Sequence, residues 1–307
     1  MNIKIFALIK KNLDTAFALP KYSTVRDSIG ADTVVEDLPW TPARYRKFKD
    51  AVESELALPC DYRGTLKEIT ADLSERYTHR FFAEIWKPRT GEYDHSGWAL
   101  AEEIAQQDPK NVLDVGCGYH PFKGRIPNLT GIDPYNHCAD YEVDILDYKV
   151  RPGTHDHIIA LGSINFNSRD EIEQRFAHCV ELLATGGKFY LRANPGLPHK
   201  AGPYVDIFPW TFETVNEFAE LYNLRLLEFK REPAELGGLF FVYQKCGSCI
   251  QLQHDVLPLK DAKLAILQNH GLDSSPGTNV LENQSCAILY DPAKVAPLES
   301  HASVDQT

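Results

Sequence analysis

Two carboxylates and two glycines carry the first chemical signal in this chain. In Asn111-Val-Leu-Asp-Val-Gly-Cys-Gly118 an apolar run reaches Asp114, and Gly116 and Gly118 follow on either side of Cys117. A second strand-like run, Leu129 to Ile132, ends in Asp133 with Pro134 behind it. Glycines at a strand end let the backbone approach a ligand closely. A carboxylate at the end of the neighbouring parallel strand can accept both hydroxyls of a ribose. The pattern predicts a nucleoside-binding sheet edge, and with it cofactor chemistry.

Such an edge needs a sheet to hold it. Strand-like runs at 111–115, 129–132, 140–143, 157–161, 187–193, 224–230 and 238–244 predict seven strands. Between the fourth and fifth, Ser168 and Glu171 form a capping-box pattern ahead of Ile172, Phe176, Val180 and Leu183. A further helix starts near Thr211, with Phe212, Val215, Phe218 and Leu221 or Tyr222 inward. Alternating strands and helices imply an α/β class: a doubly wound, mainly parallel sheet. Arg231–Gly237 is too short for a parallel crossover, so the last strand should run antiparallel. The connections Gly118–Leu129 and Asp133–Asp140 leave room for about one helical turn and for none. One sheet face must therefore find another cover.

Residues 41–105 supply candidates for that cover. Thr41-Pro42 predicts a helix start, followed by a stripe of Tyr45, Phe48, Val52 and Leu56. Thr65 and Glu68 cap a second stripe of Leu66, Ile69, Leu73, Tyr77, Phe81 and Ile85. Trp98, Ala101, Ile104 and Ala105 suggest a third helix, whereas 14–40 show no strong period. The expected organisation is a helical region 1–105 packing on a core 106–245, then an extension 246–307 whose tail is mobile from about 291.

Composition bounds the partners. The 307 residues carry a net charge of −11, which splits as −2 over 1–105, −5 over 106–245 and −4 over 246–307. No segment has the basic footprint that duplex nucleic acid requires. Arg44, Arg46, Lys47 and Lys49 form one basic cluster, best explained as a solvated helix face. The apolar start meets Lys10 and Lys11 before it could span a membrane and lacks a cleavage site of small residues. Seven scattered cysteines suggest free thiols in a reducing, cytoplasmic setting. Cys246, Cys249 and His254 match the first three ligands of a zinc knuckle, but the fourth position is Leu259. Cys286 or His270 could complete a site only through the fold, so no metal is expected.

Residues 112–118, Asp133 and Val143-Asp144-Ile145 resemble the Rossmann-like S-adenosylmethionine-dependent methyltransferases, over about 106–245. Gly118-Tyr-His-Pro-Phe-Lys, Gly131-Ile-Asp-Pro-Tyr and Ala160-Leu-Gly-Ser-Ile-Asn-Phe look, more loosely, like uncharacterised methyltransferases of tailed bacteriophages. The resemblance implies S-adenosylmethionine as cofactor and a role for each matched position. Asp114 would help hold the methionine amino group, and Gly116, Cys117 and Gly118 would pass against the methionine and ribose. Asp133, followed by Pro134, would take the ribose hydroxyls, Asp144 the adenine amino group and the Ile145 amide the ring edge. Leu161 to Ser163 would lie beneath the sulfonium. His120 stands where the family has a third glycine. NAD is the competing cofactor, but Pro121 and the stunted connection leave no helix N-terminus for a pyrophosphate.

A protonated nitrogen or oxygen acceptor would need a base from the carboxyl ends of the strands. Arg192, Asn194, His199, Tyr204 and Asp206 follow the fifth strand, and His199 is the candidate base. Asn165 lies where the acceptor should enter. The Pro-Pro-aromatic run of nucleic-acid amino-methyltransferases is missing after the fourth strand, as is the Pro-Cys of cytosine C5 enzymes. The expected activity is methyl transfer to an unidentified small molecule or protein rather than DNA. The rival expectation is a binding module that holds the cofactor without turnover. The sequence leaves the oligomeric state open.

Overall fold

The first two strands of the sheet are four residues each and almost wholly buried, as parallel strands covered on both faces should be. A computed structural model describes residues 2–94, 96–233 and 237–247, all within one compact unit. Its strands are β1 (Val112–Val115), β2 (Leu129–Ile132), β3 (His155–Leu161), β4 (Leu183–Ala193), β5 (Leu224–Arg231) and β6 (Leu239–Lys245). They form one sheet in the order β2-β1-β3-β4-β6-β5. β1 pairs in parallel with β2 and β3, and β3 with β4, while β6 runs antiparallel to both β4 and β5. The register sets Asp114 beside Gly131 on one side and Ile159 on the other.

Six strands stand where seven are expected from the sequence. The 140–143 run makes only an isolated parallel bridge, Ile132 to Tyr141. The cause lies in Asp140, whose Oδ2 accepts from the Gly131 amide at 2.9 Å. The Asp140 and Tyr141 amides both donate to Gly131 O, so a side chain and a turn replace the ladder.

Helices α6 (Arg169–Leu182) and α7 (Phe212–Leu221) cover one sheet face, packing Ile172, Phe176 and Phe218 against Leu113, Phe189 and Phe241. Both capping residues, Ser168 and Thr211, sit as the sequence implies. The other face is covered by α5 (Trp98–Gln106) together with Phe122 and Ile126 from the helix-free connection after β1. Two side chains from a turn thus stand in for the absent crossover helix.

The remaining helices do not lie on that face. α1 (Ile3–Ala16), α2 (Ser23–Ser28), α3 (Pro42–Leu56) and α4 (Leu66–Arg80) build a core of their own, joined to the rest by Val205. Sequence reasoning missed α1, although Ile5, Ile9 and Leu13 recur every fourth residue and all are buried. Asn2 caps it, accepting from the Lys4 and Ile5 amides, and donates Nδ2 to Tyr204 O at 2.7 Å. The α4 stripe is also interrupted. After Arg80 the chain turns as a π-helix, Phe81–Ile85, closed by Trp86 N donating to Phe81 O at 2.7 Å. Among the described residues no helix is long and apolar enough to cross a membrane. Cys249, His254, His270, Cys286 and the tail from 291 lie outside the described residues.

Candidate functional site

After β1 the backbone winds through three left-handed positions, Gly116 (φ 67°), Gly118 (φ 54°) and His120 (φ 54°). This winding lays the Gly118 amide against Asp133 Oδ2 at 2.9 Å. The other Asp133 oxygen accepts from the Tyr135 amide at 2.8 Å. The carboxylate is only 7 % exposed, and burial raises its proton affinity against those backbone donors. Each oxygen keeps a second lone pair for a further donor.

Asp133 opens onto a cavity of about 670 Å³ across the carboxyl ends of β1, β2, β3 and β4. Of the positions singled out in the sequence, Gly116, Gly118, Asp133, Pro134, Asp144, Ile145, Leu161, Ser163, Asn165 and His199 all line it. Asp114 and Cys117 do not; they sit behind the wall, and Asp114 is 3 % exposed. Burial, with the Asp133 charge adding to it, pushes the Asp114 carboxyl up to about 7. Its Oδ2 has no hydrogen-bond partner. Asp114 can therefore act on the cavity only through its charge, which burial leaves part-protonated near neutral pH.

Several expected contacts are taken by the protein itself. A Cβ on Gly116 would overlap Ser163 Cβ, so this glycine closes the seam between β1 and β3. The Ser163 hydroxyl donates to Val115 O across that seam. Asp144 caps the 3₁₀ turn Ile145–Asp147 through the Leu146 amide and pairs with Arg175 at 3.2 Å. Asn165 is a brace rather than a free polar group. Its Nδ2 donates to Gly162 O and Arg192 O, and its Oδ1 accepts from the Asn194 amide at 3.0 Å. His199 packs against Phe81, with ring centroids 5.0 Å apart, and its Nδ1 accepts from the Ala201 amide at 3.2 Å. Burial and then the Arg89 charge lower its proton affinity. With Nδ1 accepting from the Ala201 amide, the neutral ring carries its proton on Nε2.

His120 has a structural explanation. It occupies the left-handed conformation that a glycine would adopt, and its ring lies where a Cβ on Gly131 would have to be. Nε2 meets Asp140 Oδ2 at 3.1 Å. Burial would raise the Asp140 carboxyl, but hydrogen bonds from Gly131, Lys123 and His120 outweigh it and hold it down at about 2. The third glycine is thus replaced by a latch that pins the short connection to β2.

Sequence reasoning missed Tyr135, Arg175, Phe82 and Glu92. Tyr135 stacks on Phe82 (5.5 Å, 16°) inside the cavity, and only its place two residues beyond Asp133 hinted at it. Arg175 precedes the core residue Phe176 on α6, and its Nη1 is buried without a partner. Arg192 reaches Glu92 with two 2.6 Å bonds, one to its backbone O and one to its carboxylate. The connection 119–128 contains turns and no helix, which leaves no N-terminus for a pyrophosphate. Among the described residues no group of three His, Cys, Asp or Glu could hold a metal ion.

No known protein family and no curated protein matches the chain. Solved structures resemble it at low identity. One is the Burkholderia thailandensis 1,6-didemethyltoxoflavin-N1-methyltransferase with bound 1,6-didemethyltoxoflavin and S-adenosylhomocysteine, at 15 % identity over 59 % of this chain and 90 % of that one, TM-score 0.44. Another is the N-methyltransferase NodS from Bradyrhizobium japonicum in complex with S-adenosylhomocysteine, at 14 % identity over 56 % and 98 %, TM-score 0.42. At those values function has to be argued from the cleft alone.

Proposed function

We propose that the chain is an S-adenosylmethionine-dependent methyltransferase acting on a small molecule. The observation that carries this reading is Asp133. It is a buried carboxylate at the carboxyl edge of the sheet, held by two backbone amides, with open lone pairs toward a cleft. The orphaned charge of Asp114 behind it suits a cationic ligand. When bound, S-adenosylmethionine supplies a sulfonium-activated methyl group. Asp133 would hold the ribose hydroxyls, while Tyr135, Asp144 and Ile145 wall the base end and Arg175 Nη1 offers a donor there. Val115 to Gly118 and Leu161 to Ser163 would confine the reacting end, excluding water and aligning the acceptor atom in line. A cleft of this volume suits a small molecule beside the cofactor better than a folded partner.

A second reading is a donor-binding module without turnover. It is favoured by one observation: both residues expected to do chemistry, Asn165 and His199, are engaged within the protein. Titration calorimetry with S-adenosylhomocysteine tests the shared premise, with Asp133→Ala as control. Absence of binding by the parent removes both readings. Incubation with methyl-labelled donor and fractionated extract then separates them: label in a small-molecule fraction supports the enzyme, and label nowhere supports the module.

A further inference from the structure

One buried charge in the cleft has no use in the donor site. Glu232 directly follows β5, at the sheet edge opposite β2 and Asp133. It lines the cleft, is 8 % exposed, and its Oε1 has no hydrogen-bond partner. Arg192 lines the same wall but spends its guanidinium on Glu92 and on Leu161 O. A buried carboxylate without a donor is costly, and folding alone would not favour it. A donor arriving from the cleft would repay that cost.

We propose that Glu232 is the recognition carboxylate of the acceptor subsite, and that the acceptor is a small molecule presenting N–H donors to it. This rests on reading the Asp133 end of the cleft as the donor site. A carboxylate-bearing acceptor would set one anion against another and is disfavoured at this place.

Calorimetric titration of the full-length protein, saturated with S-adenosylhomocysteine, uses benzamidine as probe and benzoate as its charge-reversed counterpart. Benzamidine is expected to bind and benzoate is not. Glu232→Gln should weaken benzamidine at least tenfold, with S-adenosylhomocysteine affinity unchanged and the thermal midpoint equal or higher. Failure of benzamidine to bind the parent, equal affinity in parent and variant, or benzoate binding as tightly as benzamidine overturns the proposal. Should Glu232→Gln not fold, Glu232→Asp retracts the charge without removing it, and unchanged benzamidine affinity there is equally decisive. If the parent fails to bind S-adenosylhomocysteine, the donor reading falls by itself. The benzamidine series is then run on the protein alone and still decides the role of Glu232.

Discussion

The two ends of the cleft are built from different materials. At the β2 end, Asp133 is gripped by the amides of Gly118 and Tyr135, so its position follows from the backbone path. At the β4 end, polar groups are placed by side chains: Arg192 by Glu92, and Asn194 by Asn165. The loop after β4 is tied to the helical region through Asn2 and through Tyr204 with Glu55. Backbone grips are insensitive to which residues surround them, whereas side-chain grips change with every substitution. The β2 end can thus serve one invariant ligand while the β4 end is free to differ in what it admits.

That contrast can be broken in graded steps. Asp133→Ala should cost about 3 kcal/mol of S-adenosylhomocysteine affinity, since two charge-assisted hydrogen bonds to the ligand go with it. Calorimetry that finds less than a fivefold loss would remove the β2 end from donor binding. At the other end, Asn165→Asp should lower unfolding stability by about 2 kcal/mol, because a carboxylate would then face the carbonyls of Gly162 and Arg192. Urea denaturation measures it, and an unchanged midpoint would mean that Asn165 is no brace.

The pH dependence of binding sharpens the comparison further. Asp114 takes up its proton near pH 7 in the folded protein, through burial first and the Asp133 charge second. A ligand ammonium or sulfonium favours the ionised form, so its binding releases a proton. Affinity should therefore rise as pH goes from 6 to 8 and level off above, by up to about tenfold. A flat profile would place the ligand's cation away from Asp114. The smallest effect is expected at His199. With its Nδ1 held by the Ala201 amide, His199→Asn should change the rate of methyl transfer by about twofold. A loss of a hundredfold would restore it as the base.

Legibility in the sequence follows the same division. Asp114, Asp133 and the glycines could be read because a strand end fixes where its next residues go. The capping boxes at Thr65 and Ser168 could be read because both partners lie three residues apart. Glu232, Arg175 and Glu92 could not, since each acquires meaning only when distant elements meet around the cleft. The false strand at 140–143 is a subtler case: its pattern suits a strand, but Asp140 uses its carboxylate where a ladder would use a carbonyl. His120 likewise departs from glycine in type while keeping glycine's backbone conformation, a substitution that only the latch to Asp140 makes intelligible.

The π-turn at Phe81–Ile85 has a consequence for how this wall of the cleft can change. Such a turn holds one residue more than an α-turn, and Phe81, Phe82 and Trp86 all border the cleft from it. Removing a single residue there would restore ordinary helical bonding and swing whatever follows by roughly 100° about the axis. The aromatic wall, including the Phe82 ring stacked on Tyr135, could thus be refaced by changing chain length by one, with no core residue exchanged.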